Sequence, residues 1–265
     1  MNRIKDITEW MNAVAPLSLS ESWDNTGLLL GDPAAKVAKL QTCLTLTPES
    51  VDEAVDKGAD LVVSHHPLPF KPLNKITTDN MVGDLVWRLA SHSISIYSPH
   101  TSWDSAPRGI NQQLAELLEL KNLTPIIPTE SQTESVAVVG TGRVGELPRP
   151  QPLAAIAKTL AEEIPCCRPR AVERNGPITR VAICCGSGGS LLEAAMAAGC
   201  DLFLTGEATF HSCLEAKYHE IGLLMIGHYA SERFAMENLA KQICGHFPSV
   251  ECWASESECD PVSTL

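Results

Sequence analysis

The 265-residue sequence predicts an α/β protein built from two related α/β/α layered domains with mostly parallel sheets. Two observations predict this class. Short apolar, strand-like runs alternate with amphipathic helical segments, and one helix–strand segment recurs. Residues 51–64 (VDEAVDKGADLVVS) align without gaps with residues 192–205 (LEAAMAAGCDLFLT), and each contains a helix, a glycine stop and a buried strand. Two related α/β halves explain the match, and chance similarity is the competing explanation.

The first half begins with an amphipathic helix, because Ile4, Ile7, Met11 and Val14 recur at helical spacing before Pro16. Strands and helices then alternate, and turn-prone residues separate them. The predicted elements are a short strand between turns within 23–33, a strand at 41–47, a helix at 49–57 stopped by Gly58, a strand at 61–64, a helix around 84–90 and a strand at 93–98.

The second half follows an irregular segment, 124–152, which is rich in proline and glycine and is predicted to be a simple connection. Its GTGRVG run at 140–145 matches GxGxxG by letter, but prolines 148, 150 and 152 prevent the helix that a dinucleotide site needs, so a turn is predicted. Helices at 153–163 and 191–198 and a strand at 180–185 come next. The turn CGSGGS at 185–190 is either a tight connection, which we favour, or an anion-binding turn.

The composition limits the classes of partner and the compartment. A formal charge of −12 argues against nucleic acid as a partner, and it fits either divalent cations or plain solubility. The ten cysteines show no CxxC spacing and are interpreted mostly as buried, reduced thiols. Neither a secretory signal nor an apolar run of membrane-spanning length is visible. We therefore expect a cytoplasmic protein without a membrane partner.

Four polar clusters follow predicted strands, where ligand sites of α/β sheets gather. They are His65–His66, 100–104 (HTSWD), 205–207 (TGE) with His211, and 228–232 (HYASE). Imidazole and carboxylate together suit first-row divalent metals, although any one of these histidines could simply be a structural residue. Adjacent strand residues point to opposite faces, so His65 and His66 suit two metal ions, one each, with Glu232 or Asp104 bridging. If HYASE begins a helix, His228 and Glu232 share one face of it.

Five separated motifs carry a resemblance to a known family. SHHPLPF, SPHTSWD, GTGRVGELPRP, TGEATFH and IGHYASE occur in this order in the NGG-interacting-factor-three (NIF-three-like) family, whose bacterial members are often labelled GTP cyclohydrolase I type 2 homologues. The resemblance implies a dinuclear metal site in the cleft between two α/β domains. Glu232 would bridge the ions, with His65 and His228 on one and His66 and Asp104 on the other. His100 and His211 would lie beside the ligands.

The resemblance also implies a ring-shaped homohexamer with its metal sites facing the cavity. We place the first domain at 1–128 with 226–265 and the second at 129–225. The cysteine-containing acidic tail, 251–265, matches none of the motifs.

Two functions fit these expectations. One is a hydrolase dependent on two divalent metal ions (zinc, manganese, iron or nickel) that acts on a nucleotide-like substrate, a cyclic amide or a phosphoester. The alternative is a non-catalytic metal-binding protein or ring-shaped scaffold. An open coordination position favours the hydrolase, because structural metal sites are closed.

Overall fold

The computed structural model describes residues 2–129 and 139–263, and it confirms the predicted α/β class. Helices alternate with strands that form two large sheets. The α-helices are α1 (Ile4–Val14), α2 (Pro48–Lys57), α3 (Met81–Ser91), α4 (His100–Ser105), α5 (Ile110–Leu117), α6 (Leu153–Glu163), α7 (Leu192–Ala197), α8 (Phe210–Tyr218), α9 (His228–Arg233) and α10 (Ala235–His246). The strands are β1 (Gly27–Leu30), β2 (Lys39–Cys43), β3 (Leu61–Ser64), β4 (Ser95–Ser98), β5 (Lys121–Thr124), β6 (Ile127–Pro128), β7 (Gly140–Thr141), β8 (Arg143–Gln151), β9 (Arg170–Val172), β10 (Ile178–Cys184), β11 (Leu202–Thr205), β12 (Gly222–Met225) and β13 (Glu251–Ala254).

The chain forms two compact units, the first of Met1–Trp103 with Ala235–Leu265 and the second of Asp104–Phe234. The sequence places the boundaries elsewhere, after residues 128 and 225. Strand β5 belongs with the second unit because it pairs antiparallel with β8. Helix α9 stays with the second unit too, since the Ser231 hydroxyl on it accepts a hydrogen bond from the Gly186 backbone N–H at 2.9 Å.

The first unit has a five-stranded sheet in the order β1-β4-β3-β2-β13, in which every pair is parallel except β1 with β4. Two neighbouring residues of β2 show that helices cover both faces. The Gln41 side-chain amide donates to Ser50 O in α2 at 2.9 Å, while the Thr42 hydroxyl donates to Met236 O in α10 at 2.9 Å. Successive strand residues face opposite sides, so α2 and α10 lie on different faces of this sheet.

The second unit has a six-stranded sheet in the order β5-β8-β10-β11-β12-β9. Strands β10, β11 and β12 are parallel, whereas β5, β8 and β9 join antiparallel, so this sheet is mixed. Phe203 and Leu223 form a core with Leu192 and Ala195 of α7 and Ala216 of α8. That apolar contact holds the parallel centre of the sheet under its covering helices.

The aligned segments 51–64 and 192–205 adopt the same local structure in the two units. Gly58 and Gly199 end α2 and α7 with left-handed φ values of +67° and +69°. Asp60 Oδ2 accepts the N–H groups of residues 38 and 39 at 2.7 and 2.9 Å, and Asp201 Oδ2 accepts those of residues 179 and 180, both at 2.9 Å. Matched residues therefore make matched bonds, which supports related halves over chance similarity.

The segment 124–152 is not the simple connection that the sequence predicts. Of its described residues, 143–151 form β8, which pairs with β10 and with β5. Residues 140–145 form β7 and the start of β8, with a bend only at Gly142, so they are strand and not the turn that the sequence predicts. The chain continues as β8, so the GxGxxG letters do not open a helix. Proline fits at 148 and 150 because the pairing with β5 has ended by Glu146 and the register with β10 shifts there.

All ten cysteines lie in the described part of the chain and are free thiols. Four are buried, three are half-buried and three are exposed, so fewer are buried than the sequence indicates. Among the described residues, none of the helices combines the length and apolar character that crossing a bilayer requires.

Candidate metal centre

His65 and His66 follow β3 directly, at a bend in the chain. Backbone hydrogen bonds attach them to the end of β2, since His65 N donates to Cys43 O at 2.9 Å and His66 N donates to Leu44 O at 2.8 Å. His65 is buried and His66 is half-buried, yet their ring centroids lie only 5.1 Å apart. The bend corrects the argument from strict strand alternation, because the two imidazoles remain neighbours.

His100 is fixed at the first residue of α4 by a buried carboxylate. Its φ is +31°, a value that residues with a Cβ seldom adopt. His100 Nδ1 lies 2.7 Å from Asp24 Oδ1, and Asp24 Oδ2 also accepts the Thr101 hydroxyl at 2.5 Å. Burial by itself raises the pKa of Asp24, but the hydrogen bonds from His100 and Thr101 outweigh it and the pKa lies below its usual value. An ionised Asp24 holds the proton of His100 on Nδ1 and leaves Nε2 as the acceptor.

His100 joins His65 and His66 in a group of three imidazoles. One ring nitrogen from each lies within 4.8 Å of the other two, and the centroid of the His100 ring is 5.2 Å from that of His65 and 5.5 Å from that of His66. His66 Nδ1 is 2.7 Å from the Thr45 hydroxyl oxygen. A histidine that ligates a metal usually donates its second ring N–H to an oxygen, as His66 and His100 are placed to do. The three imidazoles could therefore hold a metal ion.

The sequence does not predict Asp24 and Thr45, which contact His100 and His66 in the candidate site. Asp24 lies in the WDNTG stretch, which the sequence marks only as a turn, and Thr45 was assigned to the strand before α2. The turn is anchored from both sides, because Asn25 donates its side-chain amide to Pro69 O at 2.7 Å. A carboxylate in a turn of this kind was the available signal, but its partner His100 is far away in sequence.

His228 and Glu232 lie one turn apart on α9, as the HYASE motif predicts. His228 Nε2 is 3.1 Å from Glu232 Oε2, and Glu232 is buried. The hydrogen bond with Glu232 raises the pKa of His228 to about 9, against burial, which lowers it, and Glu207 adds to the rise. A divalent ion that binds Nε2 must displace its proton, because only neutral imidazole ligates metals.

The CGSGGS turn packs closely around Glu232 and its neighbours. Gly186 has a left-handed φ of +60°, and a Cβ at this position would overlap Glu232 Oε1 and lie 3.4 Å from His228 Nε2. A Cβ on Gly188 would lie 2.7 Å from that of Cys184, and one on Gly189 would lie 2.8 Å from the Ala208 Cα. These close approaches explain the glycines as a tight connection, the interpretation that the sequence favours.

Asp104 lies beside a buried thiol in the second unit. Cys185 Sγ is 3.3 Å from Asp104 Oδ1, and burial, reinforced by Asp104, raises the pKa of Cys185 well above its usual value, so the neutral thiol donates. The Asp104 backbone carbonyl accepts the Asn111 amide at 3.2 Å. The buried Arg143 guanidinium donates to Ala106 O at 2.6 Å and thereby fixes the chain just after Asp104.

Glu207 and His211 belong to the remaining predicted cluster, 205–207 with His211. Glu207 Oε2 lies 3.5 Å from His228 Nδ1 and accepts the Ser187 hydroxyl at 3.2 Å. His211 is exposed in the first turn of α8, where its ring centroid lies 6.2 Å from that of Phe210. Within each unit, the structure therefore brings together His65 with His66 and His100, and His228 with Glu232. The complete ligand set and the part assigned to His211 stay predictions.

Comparison with known proteins places the chain among relatives of matching length. A protein of Clostridium perfringens named GTP cyclohydrolase 1 type 2 homolog is 33% identical over 261 residues, which is 98% of each chain. Among solved structures, the Staphylococcus aureus hypothetical protein SA1388 has a TM-score of 0.86 at 30% identity, covering 99% of both chains.

The fold is shared more widely than the sequence. A Bacillus cereus protein related to NIF3 has a TM-score of 0.90 at only 20% identity, covering 100% of this chain and 99% of that one. The family model described as Duf34/NIF3 (NGG1p interacting factor 3) matches residues 2–261. The chain belongs to the Duf34/NIF3 family.

Proposed function

We propose that this protein binds two divalent metal ions and uses them to hydrolyse a nucleotide-like, cyclic amide or phosphoester substrate. The proposed arrangement follows the resemblance, with Glu232 bridging the ions and two further ligands on each. The proposed ligands are His65, His66, Asp104, His228 and Glu232. Zinc, manganese, iron and nickel all suit imidazole and carboxylate donors.

The group of three imidazoles is the observation that carries the proposal. Ring nitrogens of His65, His66 and His100 lie within 4.8 Å of one another, so the two proposed ligands His65 and His66 have a third imidazole close to any ion that they bind. His66 and His100 each place the second ring nitrogen 2.7 Å from a side-chain oxygen. Three histidines assembled only for packing would not need ring nitrogens grouped this closely.

The hydrolase part of the proposal rests on what each residue can do to a proton. Two bound divalent ions supply Lewis acidity and water activation. His100, with Nδ1 held by ionised Asp24, offers Nε2 as the group that accepts a proton and returns it to the leaving group. The name of the Clostridium relative, GTP cyclohydrolase 1 type 2 homolog, supports testing GTP among the substrates.

We expect Glu232→Gln to weaken binding of both ions, whereas Asp104→Asn should weaken mainly one. A bridging carboxylate serves two ions, while a terminal carboxylate serves one. Elemental analysis and competition with a chromophoric chelator measure occupancy and affinity. Glu162→Gln is the control, because it removes the same charge from a side chain that is 64% exposed and outside the proposed ligand set. Equal losses in the Glu232 and Asp104 variants would contradict the bridging assignment.

The His100→Gln variant separates catalysis from metal binding. We expect it to retain both ions and to lose most turnover, measured on protein loaded with zinc, manganese or iron and offered phosphoesters, cyclic amides and GTP. Wild-type protein that holds two ions and remains inert on all of them would favour the non-catalytic alternative, a metal-binding or scaffold protein. The homohexameric ring is part of either proposal, and light scattering of the purified protein tests it.

A further inference from the structure

The C-terminal segment 251–258, which the sequence motifs leave unassigned, is built into the first unit. Its strand β13 pairs parallel with β2, in register from Glu251 with Lys39 to Ala254 with Thr42. Ser255 N then donates to Thr42 O at 2.7 Å, which extends the pairing to the end of β2. The segment therefore reaches the carboxyl ends of the parallel strands, where His65 and His66 follow β3.

The buried carboxylate of Glu258 binds the backbone immediately after β2. It is 8% exposed, and its two oxygens accept backbone N–H groups from consecutive residues, Leu44 at 2.9 Å and Thr45 at 2.5 Å. Bonds from N–H groups to an ionised carboxylate are stronger than those between neutral groups, and two parallel bonds fix direction as well as position. Glu258 consequently fixes the backbone of Leu44 and Thr45.

The same two residues hold His66. Leu44 O accepts the His66 backbone N–H at 2.8 Å, and the Thr45 hydroxyl oxygen lies 2.7 Å from His66 Nδ1. One short connection therefore sets both the backbone and the ring of His66. When Nδ1 donates to the Thr45 oxygen, Nε2 is the acceptor nitrogen that a metal ion requires, because the two nitrogens of a neutral imidazole share one proton.

We propose that Glu258 is a positioning residue for the metal ligand His66, acting through the Leu44–Thr45 backbone and the Thr45 hydroxyl. This inference rests on the proposed metal-binding function, and it adds a glutamate of the C-terminal segment 251–258 to the candidate site. Without the Glu258 carboxylate, the backbone of Leu44 and Thr45 is no longer held in place. The Thr45 hydroxyl then no longer fixes the tautomer and orientation of the His66 ring.

The test compares four single variants of the full chain and the double variant Glu258→Gln with Thr45→Val. Glu258→Gln replaces one of the two acceptor oxygens by an amide that cannot accept, and Thr45→Val removes the hydroxyl at similar volume. Glu256→Gln is the control for Glu258, because it removes the same charge two residues away from an exposed side chain. Thr45→Ser is the control for Thr45, because it keeps the hydroxyl. Metal affinity is measured by chelator competition with zinc, and the His66 tautomer is measured by ring ¹⁵N NMR of the metal-free protein.

We expect Glu258→Gln and Thr45→Val each to lower the affinity for one of the two zinc ions about tenfold or more. This is the effect typical of losing an outer partner of a ligating histidine. The double variant should lose little more than either single one, because both act through one path. Both controls should stay within about twofold of wild type. Unchanged zinc affinity in Glu258→Gln overturns the inference, even if thermal stability falls, since a merely structural tail would lower stability alone.

The NMR measurement separates failure of this inference from failure of the proposed function. If wild-type protein binds no metal, the proposed function fails, but the ring signals of His66 still report on Glu258. We expect the Nε2-acceptor tautomer to dominate in wild type and in Glu256→Gln, and to be mixed with the other tautomer in Glu258→Gln. An identical His66 tautomer in all three proteins overturns the positioning role.

Discussion

Replacing Gly186 with alanine is expected to remove metal from the protein without unfolding it. A Cβ at this position overlaps Glu232 Oε1 and lies 3.3 Å from the carboxylate carbon. The atom in the way is the end of a side chain, so the carboxylate can swing aside while the backbone stays in place. Glu232 is the proposed bridging ligand, so its displacement should lower the affinity for both ions. The loss should be at least as large as the roughly 10- to 100-fold loss of affinity that follows removal of an outer partner of a ligand.

Gly199→Ala is the matched control for this prediction. Gly199 has nearly the same left-handed φ, +69° against +60°, but a Cβ there meets nothing within 4 Å. Both variants should therefore lose the roughly 1–2 kcal/mol that a left-handed conformation costs a residue with a Cβ. Only Gly186→Ala should also lose metal. Urea unfolding measures the first effect and chelator competition the second.

A second readout of Gly186→Ala does not depend on metal. The pKa of His228 stands at about 9 chiefly because of its hydrogen bond with Glu232. If the carboxylate moves, the protonated imidazole loses that partner and its pKa should fall toward the ordinary value near 6.5. NMR titration of the His228 ring checks this in both glycine variants. A pKa that stays near 9 in Gly186→Ala would show that Glu232 had not moved.

The sequence predicts the elements that depend on local pattern. Helix α1 begins and ends where the apolar spacing and Pro16 place it, and α6 spans the predicted residues 153–163. The internal match between 51–64 and 192–205 succeeds partly for the same reason, because Gly58 and Gly199 end their helices locally. The following aspartates bond farther along the chain, to backbone N–H groups 21 or 22 residues earlier. Strand β2 ends at Cys43, earlier than predicted, and the backbone N–H groups of the next two residues donate to Glu258.

The segment 124–152 was predicted wrongly because its local signals conflict with its long-range pairing. Pro148 and Pro150 are typical of loops, and proline is disfavoured inside a sheet. In β8 they occupy positions where the β5 partner has ended, so the missing N–H groups leave no gap in that ladder. A partner strand such as β10, whose residues come well after β8 in the chain, cannot be inferred from spacing within the segment.

The site shows the same division. The proximity of His65 to His66 and of His228 to Glu232 is predictable from sequence, because the residues follow strands as adjacent or i, i+4 pairs. Asp24 is missed because its partner is His100, and such pairs meet only after the sheet has formed. A residue such as Asp24, which supports the candidate site through hydrogen bonds to distant residues, leaves no pattern in the sequence. The proposed ligands, which are grouped at strand ends, do leave one.

Replacing Glu53 with glutamine is expected to destabilise the first unit near neutral pH and to lose that effect in acid. The Glu53 side chain is 4% exposed, and it accepts hydrogen bonds from the Ser255 hydroxyl at 2.7 Å and from the backbone N–H groups of Glu256 and Ser257 at 3.0 Å. Lys57 Nζ lies 2.8 Å away. One carboxylate thus attaches α2 to the segment that follows β13.

The pH dependence follows from the pKa of Glu53. Burial alone raises it, but the hydrogen bonds from Lys57, Ser255 and the two backbone amides lower it from 4.5 to about 2. A group whose folded pKa is depressed stabilises the fold above its unfolded pKa, and this stabilisation is lost as the pH falls through the folded value. At about 1.4 kcal/mol for each pKa unit, the ionised carboxylate contributes on the order of 3 kcal/mol at pH 7.

We therefore expect the unfolding free energies of wild type and Glu53→Gln to differ by about 2 to 3 kcal/mol at pH 7 and to converge between about pH 4.5 and pH 2. Hydrogen exchange at the Glu256 and Ser257 amides should accelerate in the variant at pH 7, since these N–H groups donate to Glu53. Glu256→Gln is the matched control, because Glu256 also contacts Lys57 but its side chain is 81% exposed, and we expect it to change stability by less than about 0.5 kcal/mol. If the two unfolding free energies still differ by the full amount at pH 2, the effect of Glu53 comes from packing. At that pH most of the stabilisation from the ionised carboxylate has been lost.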